Sequence, residues 1–225
     1  MLVKNWMSKN VITIDADDSM NTAIRLMKRH KIKVLPVMEK GNLVGILSDR
    51  DIKKASASEA TSLDVYELAY ILDKVKIRNI MSKPVITVPP LLTVDEVAEI
   101  LVAKDISSVP VVDEKERIIG ILTKTDILKV LISLTGMHRR GIDIGIEVAD
   151  QPGSIMKITE TIQQFGGRVS SILISYDEAT AGHRNAFIRV YQINQNQLLR
   201  LKAQLKETHK ILYFLDFLND QREAI

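Results

Sequence analysis

The sequence predicts a mixed α/β (α+β) protein in which one unit occurs twice and a third domain of different pattern follows. Three observations carry this: an internal repeat, helical apolar spacing between short apolar runs in both copies, and strict apolar alternation after Ile142. The repeat is read directly. Met7-Ser8-Lys9-Asn10-Val11-Ile12-Thr13 returns as Met81-Ser82-Lys83-Pro84-Val85-Ile86-Thr87, a shift of 74 that also maps Ile32, Pro36 and Val37 onto Ile106, Pro110 and Val111. Gly45-Ile46-Leu47-Ser48-Asp49-Arg50-Asp51-Ile52 then pairs with Gly120-Ile121-Leu122-Thr123-Lys124-Thr125-Asp126-Ile127 at a shift of 75. One residue was therefore gained or lost in the turn between, where insertions are tolerated.

Each copy opens on a helix, predicted from Met20, Ala23, Ile24 and Met27 and from Val94, Val97, Ala98 and Leu101, which share one helical face. The runs Val34 to Met38 and Leu43 to Leu47, divided by Glu39-Lys40-Gly41-Asn42, read as strand, turn and strand, and copy two repeats them around Asp113 to Arg117. A second helix starts near Ser48 or Thr123, and in copy two Ile127, Val130, Leu131 and Leu134 form its expected buried stripe. Each unit is thus β-α-β-β-α, small enough that two in tandem are needed to bury their sheets. The first spans residues 1–56 and the second 76–135, with a connector at 57–75 whose helix is expected from about Ser62 to Leu72.

The third domain, residues 140–216, begins with Ile142, Ile144, Ile146 and Val148 on one strand face. Pro152-Gly153 turns the chain into a helix with apolar face Ile155, Ile158, Ile162 and Phe165, which Gly166-Gly167 stops. Strands at about Val169–Tyr176 and Ala186–Ile193, a helix at Leu198–Leu205 and a strand at Ile211–Leu215 complete βαββαβ, a ferredoxin-like arrangement. Residues 217–225 are left as a tail.

Bulk properties narrow the function. The chain has 46% hydrophobic and 26% charged residues, the balance of an ordinary globular protein, and a net charge of +3 spread along its length. With 4% aromatics and no reading helix, nucleic acid is not an expected partner. No apolar run approaches the ~18 residues of a membrane span, so a membrane is not expected either. The chain has no Cys, which removes disulfides and thiolates and makes the cytoplasm the default location. The four His residues are scattered without metal-site spacing, and no nucleophile elbow or P-loop is present, so no metal and no reaction are expected.

The chemistry lies where strand meets helix. Ser48-x-x-Asp51 and Thr123-x-x-Asp126 each follow Gly-Ile-Leu. The first turn of a helix offers unpaired N–H groups and a positive dipole end that suit a phosphate. An Asp one turn in can accept the hydroxyls of a ribose, the runs Val11-Ile12-Thr13 and Val34-Leu35-Pro36 can wall a base, and Lys33 can reach a phosphate. The same spacing also reads as a plain capping box, which implies no ligand.

A unit of the form Met-Ser…Val-Ile-Thr…Ile-x-x-x-Pro-Val…Gly-Ile-Leu-[Ser/Thr]-x-x-Asp resembles the cystathionine β-synthase (CBS) domain, and the resemblance covers about residues 1–135 as a tandem pair. It implies an adenine nucleotide or related regulatory ligand (AMP, ATP, NAD or S-adenosylmethionine) with no required cofactor, and a homodimer. Asp51 and Asp126 are implied on ribose, and Ser48 and Thr123 near phosphate. The implied contact set is Ile12, Thr13, Lys33, Pro36, Ser48, Arg50 and Asp51 in copy one, and Ile86, Thr87, Pro110, Thr123, Thr125 and Asp126 in copy two. Some nucleotide-sensing members carry His-Arg where this chain has Lys33-Val34 and Ser107-Ser108, so the Asp51 site is expected to suit a charged phosphate better than the Asp126 site.

Asp150-Gln151-Pro152-Gly153-Ser154-Ile155 resembles the loop of the ACT domain. That likeness implies side-by-side pairing and an amino acid whose carboxylate sits on backbone groups of Gly153, Ser154 and Ile155, with Asp150 shaping the turn. A βαββαβ domain also enters its helix this way without any ligand. The order CBS–CBS–ACT resembles the acetoin-utilisation accessory proteins, a label that implies no acetoin chemistry here. The expected function is a non-enzymatic sensor that passes ligand occupancy to a regulated protein not disclosed by the sequence; the alternative is a dimeric assembly module indifferent to ligands.

Overall fold

A computed structural model describes residues 1–59 and 72–224, so the connector helix expected from about Ser62 falls outside the described residues apart from Leu72. Two units result, Met1–Leu128 and Lys129–Ile225. In copy one, β1 (Ile14–Asp15) precedes α1 (Met20–His30), capped where the Ser19 hydroxyl accepts the Thr22 N–H at 3.2 Å. Met20, Ala23 and Met27 are its buried face, as their spacing required. β2 (Val34–Glu39) and β3 (Asn42–Ser48) form a hairpin closed by Lys40-Gly41, both at positive φ, the two-residue turn whose twist matches antiparallel strands. α2 (Asp49–Glu59) follows at once.

After the short α3 (Ile77–Ile80), copy two repeats the plan with α4 (Val94–Ala103), β4 (Ser108–Val112), β5 (Ile118–Thr123) and α5 (Lys124–Leu134). In place of β1, Val88 bridges in parallel to Val111. The additional residue of copy two falls in its hairpin loop, where Asp113 N–H meets the Arg117 carbonyl at 3.0 Å and Glu116 takes positive φ. Both hairpins shift register at the same place, between Val37 and Met38 and between Val111 and Val112.

The two cores do not divide where the repeat divides. Val3, Trp6 and Met7 pack with Val88, Val97, Leu101, Val109, Val111 and Leu122 of copy two. Ile77, Ile80 and Met81 pack instead with Ile14, Met20, Leu35 and Leu47 of copy one. Ser8 bridges to Ile121 in β5 and Ser82 to Ile46 in β3, so each Met-Ser pair is threaded through the other copy. The glycines leave room for the methionines: a Cβ on Gly45 would run into the Met81 side chain and one on Gly120 into that of Met7, so either side chain would have to shift.

In α5, Val130 is buried and Ile127 packs on the copy-two core, but Leu131 and Leu134, expected in the same stripe, are exposed along with Leu128 and Ile132. One stripe suffices to cover one sheet, and the added side chains widen the apolar surface beyond it.

The second unit runs β6 (Ile142–Ala149), α6 (Ser154–Gln164), β7 (Arg168–Ser175), β8 (His183–Tyr191), α7 (Gln195–Thr208), β9 (Lys210–Asp216) and β10 (Gln221–Ala224). Through β9 this is the expected βαββαβ connectivity. The sheet order is β10-β9-β6-β8-β7, antiparallel throughout. Ile142, Ile144, Ile146 and Val148 share one core with Ile158 and Ile162 of α6 and with Leu198, Leu201 and Leu205 of α7. Residues 217–224 are more than a tail, because β10 pairs with β9 and Glu223 meets Lys202 and Lys206 at 3.4 and 2.6 Å. Its Gln-Arg-Glu-Ala sequence has no apolar alternation, so the pattern gave no sign of it. Among the described residues no helix is long and apolar enough to cross a membrane.

Candidate functional site

The strand-to-helix junctions are built alike. At the end of β3 the Asp51 Oδ2 accepts the Ser48 N–H at 2.7 Å and the Ser48 hydroxyl at 2.6 Å, while the Asp51 N–H donates to Ser48 Oγ at 3.2 Å. At the end of β5 the Asp126 Oδ2 accepts the Thr123 N–H at 3.1 Å and hydroxyl at 2.7 Å, and the Asp126 N–H returns to Thr123 Oγ1 at 3.2 Å. Each is a reciprocal cap that fixes the carboxylate at the start of the helix. Asp126 is buried and Asp51 half-buried.

The helix ends offer fewer free donors than the sequence suggested. The Asp49 N–H already reaches the Lys33 carbonyl at 2.9 Å, and the Lys124 N–H the Ser107 carbonyl at 2.9 Å. With the Asp51 and Asp126 N–H groups also bonded, side chains must do more of the work of holding an anion.

Lys33 is exposed and sits beside the first turn of α2 through that carbonyl. Arg50 is exposed and lies 3.7 Å from Asp105 of copy two. Pro36 and Pro110 are buried in β2 and β4, opposite Ile46 and Ile121. Ile12 packs on the copy-one core and Ile86 on the copy-two core, with Thr13, Thr87 and Thr125 exposed. One residue was missed: Ser82 donates its hydroxyl to Asp51 Oδ1 at 3.2 Å. The repeated Met-Ser pair was the signal that could have found it.

Both junctions lie within matches to the CBS domain family model, at residues 3–58 and 77–133, together half of the chain. This chain belongs to the CBS-domain family. A CBS domain-containing protein of Dictyostelium discoideum is 33% identical over 135 residues, covering 60% of this chain and 93% of that one. Among solved structures, a CBS domain pair in complex with 5′-methylthioadenosine and S-adenosyl-L-methionine is 35% identical, covers 59% of this chain and 97% of its own, and superposes with a TM-score of 0.51. A Vibrio cholerae structure assigned to acetoin utilization shares the fold at 24% identity, with a TM-score of 0.51 over 61% of this chain and 95% of its own.

Beyond the CBS pair, the loop between β6 and α6 is organised by a residue that sequence reasoning missed. Arg184 lies 3.3 Å from Asp150 Oδ1 and donates to Ser154 Oγ at 3.3 Å. It enters β8 opposite Val148, a cross-strand neighbour that linear spacing does not reveal. The Tyr176 hydroxyl approaches Asp150 at 3.5 Å. Gly153 holds φ at +83°, and its carbonyl accepts the Lys157 N–H at 3.1 Å. Ile155 is partly buried and packs against the core. Ser154, Gln151, Lys157, His183 and Lys210 border an open cavity of about 330 Å³.

Proposed function

We propose that this chain is a cytoplasmic, non-enzymatic sensor whose CBS pair binds an adenosine-containing ligand, with Asp51 and Asp126 taking the ribose hydroxyls. The observation that carries the reading is the duplicated junction, where the same hydroxyl and carboxylate recur in the same bonded geometry. The complex of a related pair with 5′-methylthioadenosine and S-adenosyl-L-methionine supports it. Ser48 and Thr123, with Lys33 and Arg50 in copy one, would face a phosphate or the substituent in its place. Residues 140–216 are read as an ACT-type domain, on their connectivity and the Asp150–Ile155 loop, and an amino acid is the proposed ligand. Two copies of the chain would dimerise, which gives the exposed Leu128, Leu131, Ile132 and Leu134 of α5 a surface to cover.

Thermal shift with AMP, ATP, NAD, S-adenosylmethionine and amino acids tests this. Ligand at 100 times its dissociation constant adds about 2.7 kcal/mol. Asp51→Ala and Asp126→Ala are expected to remove the nucleotide shift site by site. The second reading, a ligand-indifferent assembly module for a partner protein, is favoured by one fact: both carboxylates are already engaged as helix caps. It predicts no shift with any of these compounds.

A further inference from the structure

We infer that Ser82 is an affinity-lowering latch on the Asp51 carboxylate, an inference that rests on the ribose reading of that carboxylate. Asp51 Oδ2 already accepts two hydrogen bonds from Ser48, at 2.7 and 2.6 Å. An oxygen with two lone pairs is then full. The ligand is left with Oδ1, and there the Ser82 hydroxyl donates at 3.2 Å. A diol that donates from both hydroxyls needs Oδ1 whole, so Ser82 must turn away before the diol seats.

Ser82 is free to turn without unfolding anything. It is exposed, and its hold on β3 is made by backbone alone: its N–H reaches the Ile46 carbonyl at 2.8 Å, and the Ile46 N–H reaches its carbonyl at 3.2 Å. Rotation about χ1 releases the hydroxyl while the bridge stays. The residue comes from the opening segment of copy two, yet it acts on the cleft of copy one because the two segments are exchanged. Binding at Asp51 therefore exchanges one hydrogen bond for another, and the latch lowers affinity by the net worth of the bond that is lost.

Calorimetric titration of AMP and of 5′-methylthioadenosine into the full chain tests the latch. Ser82→Ala is expected to bind about twofold to tenfold more tightly than wild type, because the bond that is lost is exposed to water, which brings its net worth down to that of an ordinary hydrogen bond. Ser82→Thr, which keeps the hydroxyl, is expected to restore wild-type affinity, and adding Asp51→Ala to Ser82→Ala to remove the gain. Equal or weaker binding by Ser82→Ala, or a gain that Ser82→Thr does not reverse, overturns the latch and leaves the nucleotide reading standing. Absence of heat with both probes in wild type and in Ser82→Ala overturns the two together.

Discussion

Val3→Ala probes the exchange of segments between the repeats. Val3 is 0% exposed and sits in the copy-two core with Val109, Val111 and Leu122, although it opens copy one in sequence. The substitution removes two methyl groups, about 0.8 kcal/mol each on transfer, or roughly 1.6 kcal/mol. A residual cavity in a core that relaxes incompletely brings the loss to about 2–3 kcal/mol. Native-state amide exchange measures the opening free energy residue by residue. The drop is expected at Val109, Val111 and Leu122, before it is felt at Leu35 and Leu47. A loss below about 0.5 kcal/mol, the range of ordinary surface changes, or a loss centred on Leu35 and Leu47, would refute the exchange.

Two further predictions concern titration in the second unit. Burial pushes the Glu147 carboxyl upward, but hydrogen bonds from Thr180 and then Lys210 outweigh it and hold the group below its ordinary 4.5. A depressed folded value gives stability that is present above pH 4.5 and lost as pH falls through the folded value. Glu147→Gln should therefore flatten the acid limb of the unfolding midpoint against pH, and an unchanged limb would count against the contact. Burial, reinforced by Asp143 and opposed by Arg189, pushes the Tyr213 phenol up to about 12. Its contribution to stability is present below pH 10.0 and lost as pH rises through about 12. The ultraviolet difference titration of wild type minus Tyr213→Phe should place the lost phenol near pH 12; a lost step near pH 10 would contradict the burial.

Much of this architecture is legible in the sequence because it rests on local rules. Met20, Ala23 and Met27 announce α1 by spacing, Lys40-Gly41 announces its hairpin by turn chemistry, and Ser48 and Asp51 announce a cap whether or not a ligand follows. What escaped depends on distant neighbours. Met7 and Met81 look like the starts of their own copies, and only the close approach over Gly120 and Gly45 shows that each serves the other. Ser82 reaches Asp51 across 31 residues, and Arg184 meets Ser154 across 30, through sheet register rather than spacing. β10 is held by an edge and two lysines, without the alternation that marks a strand. Leu131 and Leu134 continue an apolar stripe by spacing yet stand exposed, since burial depends on what packs against the helix.

That carboxylates on paired junctions hold a sugar diol is tested most directly by titrating AMP and its 2′-deoxy counterpart into the wild-type chain. A hydrogen bond to a charged group is worth about 1.5–3 kcal/mol, so the deoxy compound should bind at least about tenfold more weakly. Equal affinity for the two nucleotides would contradict the role given to Asp51 and Asp126.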